Sequence, residues 1–333
     1  MKLFRLVTFV FVSVGILAMT AGEGAGTSAE ATAMWDDQGP GADLTSDLAG
    51  GLPFRCVGPA LTSGRISAIT IDPRDSKVWY VCAAAGGMWK TSDGGTSFKC
   101  MTDNIGSFCM GSVALDPKNP DIVWLGTGEQ QSQRSVDFGD GIYKSMDGGK
   151  TWKNMGLVTS EHIARIRIDP RNTDVVYVAS VGPLWNGGGE RGVYKTTDGG
   201  KTWKASLTIS ENTGVVDLVI DSQNPDNLYA AAFQRRRHTG CCISGGPESG
   251  IYRTHDGGTT WTKITKGIPT SNMGRIALEI SPQNTNTVYA QISAMQGSGF
   301  YRSDDKGVTW AQTSTGGGGA NMYYGDIYAD PHK

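Results

Sequence analysis

The segment Thr196-Thr197-Asp198-Gly199-Gly200-Lys201-Thr202-Trp203 decides the fold, because the chain repeats its pattern four more times. Each copy has Ser or Thr two residues before an Asp, Gly two residues after it, and then Ser or Thr followed by an aromatic residue. We call the five copies the Asp turns; they cover residues 91–98, 145–152, 196–203, 254–261 and 303–310. Five copies at intervals of 49 to 58 residues indicate a structural repeat.

Each Asp turn ends a longer unit that reads as short strands. In the third unit, an alternating stretch runs into the polar turn Ile168-Asp169-Pro170, and apolar stretches follow at 175–178 and 193–195. The unit therefore predicts strand A, a polar turn, strand B, a loop, strand C, the Asp turn and strand D. Four short antiparallel strands per repeat, arranged around an axis, are typical of a β-propeller blade.

The sequence thus predicts an all-β propeller of four-stranded antiparallel blades, with five complete blades and the start of a sixth. The sixth is suggested by Tyr323–Pro331, which repeats the strand A and Asp-Pro pattern with no further strands after it. We expect the physiological protein to be longer than this chain. An open propeller would leave unpaired strand edges, which favour aggregation.

The residue types of the Asp turn predict a structural role. An Asp at this place accepts backbone N–H groups inside the turn, and the second Gly supplies a positive φ angle. The aromatic residue begins strand D and buries its ring between sheets. We therefore assign structure, not catalysis, to five aspartates: Asp93, Asp147, Asp198, Asp256 and Asp305.

The N-terminus predicts export. Lys2 and Arg5 precede an apolar run over 6–19 and small residues after it, which is the pattern of a secretory signal peptide. We assign 1–21 to the signal peptide, 22–51 to a flexible linker and 52–333 to the propeller. An uncleaved membrane anchor is the alternative, and no other membrane span is expected. The protein is then secreted, periplasmic or bound to the cell surface.

Charge and cysteine content exclude several functions. Thirty Lys and Arg against 32 Asp and Glu leave a net charge of −2, which gives no basis for binding nucleic acid or an anionic membrane. Six cysteines allow 15 disulfide pairings, among which Cys100 with Cys109 is our preferred pair. We find no metal-ligand spacing and no cofactor motif, and therefore expect no metal and no cofactor.

The Asp turns resemble the Asp-box, or BNR, repeat of sialidases, xyloglucanases, sortilin-type receptors and photosystem assembly factors. One turn in every blade is closer to the sortilin and xyloglucanase-like group, and most similar to large exported bacterial BNR-repeat proteins labelled glycosyl hydrolases. In that family the box is structural. The resemblance does not extend to the sialidase arginine site, because residues 54–58 depart from its Arg-Ile-Pro motif. The xyloglucanase carboxylates lie on two propellers, and neither aligns here.

Topology predicts where a site would lie. The Asp-Pro turns and the Asp turns share one face, so the B–C loops and the connections between blades share the opposite face, which we call the rim. Its loops are uneven in length, as expected of a functional surface. Its candidate catalytic residues are Glu129 and Asp217. Its candidate ligand-binding residues are Arg134, His162, Arg165, Trp185, Glu190, Arg191 and Arg235.

Two functions and a structural alternative compete for the rim. The first is binding of a carbohydrate or glycoconjugate, or of a protein or peptide ligand, without bond cleavage. The second is glycoside hydrolysis by Glu129 with Asp217 or Glu190, which needs carboxyl groups about 5 to 10 Å apart. In the structural alternative, Glu129 pairs with Arg134 or Arg191 and Trp185 packs between blades. We expect the binding function.

Overall fold

A computed structural model describes residues 64–316, 323 and 325–332. These residues form 21 β-strands and contain no α-helix, so the prediction of an all-β chain is confirmed. Among them there is accordingly no helix with the length and apolarity that a membrane crossing requires. The predicted signal peptide and linker lie outside the described residues and stay predictions.

The strands form five antiparallel sheets, one for each Asp turn. Sheet 1 contains β1 (Ile66–Ile71), β2 (Trp79–Ala83), β3 (Gly87–Thr91) and β4 (Lys99–Cys100). Sheet 2 contains β5 (Met110–Leu115), β6 (Val123–Thr127), β7 (Ile142–Ser145) and β8 (Lys153–Asn154). Sheet 3 contains β9 (Ile163–Ile168), β10 (Val176–Ser180), β11 (Gly192–Thr196) and β12 (Lys204–Leu207).

Sheets 4 and 5 follow the same order, with one addition. Sheet 4 contains β13 (Thr213–Ile220), β14 (Leu228–Arg237), β15 (Cys242–Ser244), β16 (Gly250–Thr254) and β17 (Thr262–Lys263). Sheet 5 contains β18 (Met273–Ile280), β19 (Val288–Ala294), β20 (Gly299–Ser303) and β21 (Ala311–Ser314). The addition is β15, which pairs with the end of β14. In every sheet the Asp turn joins the last two strands.

The sheets surround a central channel. A cavity of about 430 Å³ is lined by residues from the first strand of all five sheets, among them Ala68, Ser112, Arg167, Asp217 and Glu279. Four hydrophobic clusters fill the space between sheets, and each cluster is built from two consecutive sheets. First strands around an axis and sheets packed face to face make this a β-propeller arrangement.

The described part of the predicted sixth-blade segment contains no strand. Residue 323 and residues 325–332 contain no strand, and Asp326, Ile327 and Tyr328 instead line the channel. The physical reason is pairing, since no second strand lies beside this segment in the described part of the chain to bond its backbone. The segment is held by an ion pair from Arg165 to Asp326 and by Gln283, which donates to the carbonyl of Pro331.

The preferred disulfide pair is also wrong. Cys100 and Cys109 are free thiols. The Cys109 thiol donates to the carbonyl of Asp137 at 3.1 Å, and the Cys100 thiol lies beside the Thr102 hydroxyl. Burial raises the pKa of Cys109 to about 12. Both are therefore structural thiols with local partners.

Hydrogen bonds within each Asp turn occupy its carboxylate. In sheet 3, the hydroxyls of Thr196 and Thr202 donate to the two carboxylate oxygens of Asp198 at 2.7 and 2.6 Å, and the Thr202 amide donates at 2.9 Å. The Thr196 hydroxyl in turn accepts from the Gly200 amide. The other four turns repeat this set of bonds.

The glycines of the turn allow the turn to pack on the preceding sheet. Gly200 has a φ angle of 92°, and a Cβ atom there would lie 2.6 Å from the ring of Trp124 in sheet 2. The residue before this second glycine also has a positive φ angle in every Asp turn. In the fifth turn that residue is Lys306, with a φ angle of 57°. The first position accommodates a lysine side chain in the fifth turn, whereas a side chain at Gly200 would collide with the buried Trp124 ring.

A carbonyl of each Asp turn from the second to the fifth is bound by the preceding sheet, and we call this bond the inter-sheet contact. The carbonyl of Gly257 accepts from the Tyr177 hydroxyl at 2.9 Å and from the Lys195 ammonium at 2.7 Å. The ammonium also lies over the Tyr177 ring, 5.2 Å from its centre. Equivalent donors reach the carbonyls of Gly148, Gly199 and Lys306 from sheets 1, 2 and 4.

Sheet 1 presents a face that no described sheet covers. Its exposed apolar residues are Ile66, Ile69, Ile71, Trp89 and Phe98. Phe98 stands where later turns have Trp, and 45% of it is exposed. By contrast, Trp203 donates its indole N–H to the Met155 carbonyl of the preceding sheet. The exposed face of sheet 1 therefore corresponds to the face with which each later sheet packs on the sheet before it.

We expect the inter-sheet contact to contribute measurably to stability. Tyr177→Phe removes one buried hydrogen bond and should lower the free energy of unfolding by about 1 kcal/mol. Tyr289→Phe is the matched control, because Tyr289 holds the same register in sheet 5 without a following Asp turn among the described residues. Urea denaturation measures both variants. Equal effects of the two substitutions would contradict the assignment.

We also expect acid to weaken the Asp turns. Hydrogen bonds from Ser97 and Thr309 lower the pKa of Asp93 and of Asp305 to about 2. The unfolded chain, with carboxyl pKa values near 4, takes up protons first, so stability present above about pH 4 is lost towards pH 2. Urea midpoints between pH 5 and 2 should fall less steeply for Asp305→Asn than for wild type. Parallel curves would refute this.

Candidate functional site

The centre of the rim is a buried loop held by arginines. Residues 130–132, between β6 and β7, are fully buried. Arg235 of β14 donates to the carbonyls of residues 130 and 131, and Arg237 donates to that of Ser132 at 2.6 Å. Arg275 of β18 donates to both oxygens of Gln130. A loop of sheet 2 thus reaches sheets 4 and 5.

Glu129, the first candidate catalytic residue, precedes that loop and is 1% exposed. Its two carboxylate oxygens accept from Nε and Nη2 of Arg65 at 2.6 and 2.5 Å. Arg65 comes directly before β1, so the ion pair connects sheet 2 to the start of sheet 1. Bidentate pairing of this kind fixes both side chains.

Asp217, the second candidate, lies on β13 and lines the central channel. One of its oxygens accepts from Arg165 at 3.0 Å, and the other accepts from the Leu278 amide of sheet 5 at 2.8 Å. Arg165 also pairs with Asp326 at 2.6 Å. The structure therefore brings the candidates Arg165 and Asp217 together and holds Glu129 with a different arginine.

Burial and charge shift two further groups in the channel. Burial raises the pKa of Glu279, and burial lowers the pKa of Arg167, which also lies near Arg165. Arg167 donates to the carbonyl of Ile166 at 3.2 Å. The channel therefore holds charged groups of both signs in a poorly solvated space.

The remaining candidates differ in accessibility. Trp185 is 42% exposed, and Arg134 is exposed as well. Glu190 accepts from the amide and hydroxyl of Thr159 at 2.9 and 3.1 Å. Arg191 is buried and donates to four backbone carbonyls. Arg235 is fully buried, so Trp185 and Arg134 are the candidates that an incoming ligand meets first.

His162 is buried against the rim loops. Burial lowers its pKa well below the usual value, so the imidazole is neutral at pH 7. Its Nδ1 has no hydrogen-bond partner among the described residues. A neutral imidazole accepts a proton poorly here, because the charged form would be buried beside Arg235.

The described residues contain no group of three or more His, Cys, Asp and Glu side chains placed to hold a metal ion. Sequence reasoning also missed residues that build the rim. Arg65 and Arg275 were not candidates, whereas Arg237 belongs to the charge run 235–237 and carries a usable signal. It lies two residues after Arg235, and residues two apart on a strand face the same side.

Comparisons with known proteins point to carbohydrate-active enzymes. A xyloglucanase of Paenibacillus sp is 26% identical over 237 residues, which are 64% of this chain and 22% of the relative. A xyloglucanase of Hypocrea jecorina is 26% identical over 240 residues, 64% of this chain and 27% of the relative. This chain spans about a quarter of the length of these relatives. No family model matches the sequence.

Solved structures agree on the fold. The GH74 enzyme of Niastella koreensis has a TM-score of 0.55 at 22% identity, over 74% of this chain and 38% of that one. The GH74 xyloglucanase of Xanthomonas campestris has a TM-score of 0.56 at 18% identity, over 80% of this chain and 42% of that one. The resemblance to xyloglucanases is thus confirmed, and the resemblance to sortilin-like receptors stays a prediction.

We expect the hydrogen bonds of Asp217 to stabilise the fold, whether or not Asp217 takes part in catalysis. Asp217→Asn replaces one accepting oxygen by an N–H₂ group, which cannot satisfy both Arg165 and the Leu278 amide. The free energy of unfolding should fall by about 2 to 4 kcal/mol. Urea denaturation measures it, with Asp326→Asn as a milder comparison, because Asp326 is more exposed. An unchanged midpoint for Asp217→Asn would disprove this support.

Proposed function

We propose that this protein is an exported glycoside hydrolase that acts on a xyloglucan-like β-glucan. The observation that carries the proposal is the similarity to xyloglucanases over 64% of the chain. The propeller arrangement and the exposed Trp185 on the rim support it, since sugar rings stack on aromatic side chains. We further propose that the Asp turns belong to the Asp-box repeat and that residues 1–21 direct export.

Glu129 and Asp217 are our proposed acid and base. Glycoside hydrolysis needs one carboxyl group to protonate the leaving oxygen and a second to activate water or attack the sugar. Arg65 and Arg165 position these two carboxylates. Because Glu129 is buried under its ion pair, substrate entry must separate it from Arg65 before it can reach a glycosidic oxygen.

The second candidate function is binding of the same polysaccharide without cleavage. The observation that favours it is that arginine occupies both proposed catalytic carboxylates. In this alternative, Trp185 and Arg134 contact the polymer and the carboxylates only hold the rim together. The two functions make different predictions for the carboxylate variants.

The deciding experiment is release of reducing sugar from xyloglucan by the full chain. If Glu129 and Asp217 act as acid and base, Glu129→Gln and Asp217→Asn should each lower the rate about 100-fold or more. Asp75→Asn is the matched control, because this exposed carboxylate lies in the Asp-Pro turn of sheet 1, on the face opposite the rim. Circular dichroism confirms that each variant is folded.

Each outcome selects one function. Sugar release that the control retains and the two rim variants lose establishes hydrolysis. Saturable xyloglucan binding without sugar release, lost in Trp185→Ala and kept in Glu129→Gln, establishes the binding function. A chain that neither binds nor cleaves xyloglucan would overturn the proposal for this substrate.

A further inference from the structure

Sheet 4 carries a hairpin that the other described sheets lack. Its second strand, β14, has ten residues, whereas the corresponding strands of the other sheets have five to seven. The extra length pairs with β15, with Arg235, Arg236 and Arg237 opposite residues 242–244. Three consecutive arginines therefore extend from the sheet over the rim.

Strand alternation separates the three side chains. Arg235 and Arg237 point towards the buried loop at 130–132 and are 0% and 5% exposed. Arg236 points to the other side and donates to the side-chain oxygen of Asn212 at 3.1 Å. Two of the three charges are thus buried, and the third provides a natural control.

The buried charges are bound by dipoles, not by carboxylates. Arg235 donates to the carbonyls of residues 130, 131 and 182, and Arg237 donates to that of Ser132. No Asp or Glu of the described chain forms an ion pair with Arg235, Arg237 or Arg191. Carbonyl oxygens orient a guanidinium but do not neutralise its charge, and the carboxylate of Glu161 attracts Arg191 and Arg235 without forming an ion pair with either.

Burial makes that charge costly. Burial lowers the pKa of Arg235 to about 9 and that of Arg191 to about 10, and the positive charge of Arg191 lowers the pKa of Arg235 further. An anion placed next to this cluster would remove the repulsion without any rearrangement of the loop. The fold has already oriented the donors, so little conformational entropy is lost on binding.

A cavity opens beside the cluster. It has a volume of about 520 Å³ and is lined by Gln133, Arg134, Ser135, Arg237, Gly240, Cys241 and Cys242. None of these lining residues, all of them in the described part of the chain, is acidic. The Nε atom of Arg237 donates to the Ser132 carbonyl, and the same side chain lines the cavity. Arg134 is exposed and adds a second guanidinium at the cavity.

We propose that this cavity binds the anionic substituent, a carboxylate or a sulfate ester, of an acidic polysaccharide. Arg237 supplies a fork of N–H donors oriented by the Ser132 carbonyl, and the exposed Arg134 adds a second guanidinium. A planar guanidinium matches the paired oxygens of either group. The polysaccharide part rests on the proposed carbohydrate function, whereas the anionic part rests on the cavity alone. Because the chain as a whole carries a net charge of −2, general attraction of polyanions does not account for such binding.

The test measures binding of the full chain to three polymers by isothermal titration calorimetry. Polygalacturonate carries carboxylates, dextran sulfate carries sulfate esters, and neutral xyloglucan carries neither. We expect wild type to bind one or both anionic polymers, and Arg134→Gln and Arg237→Gln to weaken that binding about tenfold. Arg236→Gln removes the same charge from the outward side of the strand and should bind like wild type.

The outcomes separate this proposal from the proposed function. Failure to bind either anionic polymer overturns the proposal. Equal binding by wild type and Arg134→Gln also overturns it. Because the Arg134 side chain is exposed, this substitution should leave the chain folded. An equal loss in Arg236→Gln also overturns it, since the binding would then follow overall charge. Anionic binding lost in Arg134→Gln and kept in Arg236→Gln supports it, even where xyloglucan is neither bound nor cleaved. Xyloglucan cleavage without anionic binding leaves the proposed function standing alone.

Discussion

The architecture depends on one interaction, the bond from each of sheets 1 to 4 to a carbonyl of the next Asp turn. A four-stranded sheet with apolar residues on both faces cannot stay in water alone, so it must be covered on both sides. Packing of Val, Ile and Tyr side chains supplies the free energy but leaves the relative angle of two sheets free to vary. Tyr177 and Lys195, both aimed at the Gly257 carbonyl, fix that angle through directional bonds.

Repetition of this contact explains the rest of the frame. Because the contact recurs from sheet to sheet, the first strands stay around one axis and leave the channel open. The Asp carboxylate of each turn accepts hydrogen bonds from residues of the same turn. These bonds fix the shape of the turn and therefore the position of the carbonyl that the preceding sheet binds. Because these contacts fix the sheets at the face of the Asp turns, the loops of the rim can differ from sheet to sheet. Residues 130–132 use that freedom to cross to sheets 4 and 5.

The repeat was predictable from sequence because it is local. Five Asp turns with their flanking strands lie within about 50 residues each, and the structure has one sheet for each of them. The failures are non-local. The segment 323–331 has the pattern of a strand, but a strand also needs a neighbour, which the pattern does not contain. The partner of Glu129 was equally hidden, because Arg65 lies 64 residues away and carries no motif.

Burial of the candidate site residues was also not predictable from the sequence. Arg235 was predicted to bind a ligand from a B–C loop, yet it lies on strand β14 and is fully buried. Its neighbour Arg237 occupies the same side of the strand and reaches the cavity. Alternation along the strand separates the two sides, but only the structure shows that the extended β14 turns this side towards the rim loop.

Charge distribution joins the frame to the function. The carboxylates of the Asp turns and Asp-Pro turns are bonded within one face, where Arg74 pairs with Asp72 and Arg171 pairs with Asp169. Arginines without carboxylate partners, Arg191, Arg235 and Arg237, gather at the rim. A polymer that reaches the cavity beside Arg237 meets a surface with two guanidinium groups, those of Arg134 and Arg237, and with no acidic residue among its described lining. Such a surface selects a ligand by its charge, whereas the carboxylates of Glu129 and Asp217 decide whether the bound polymer is cut.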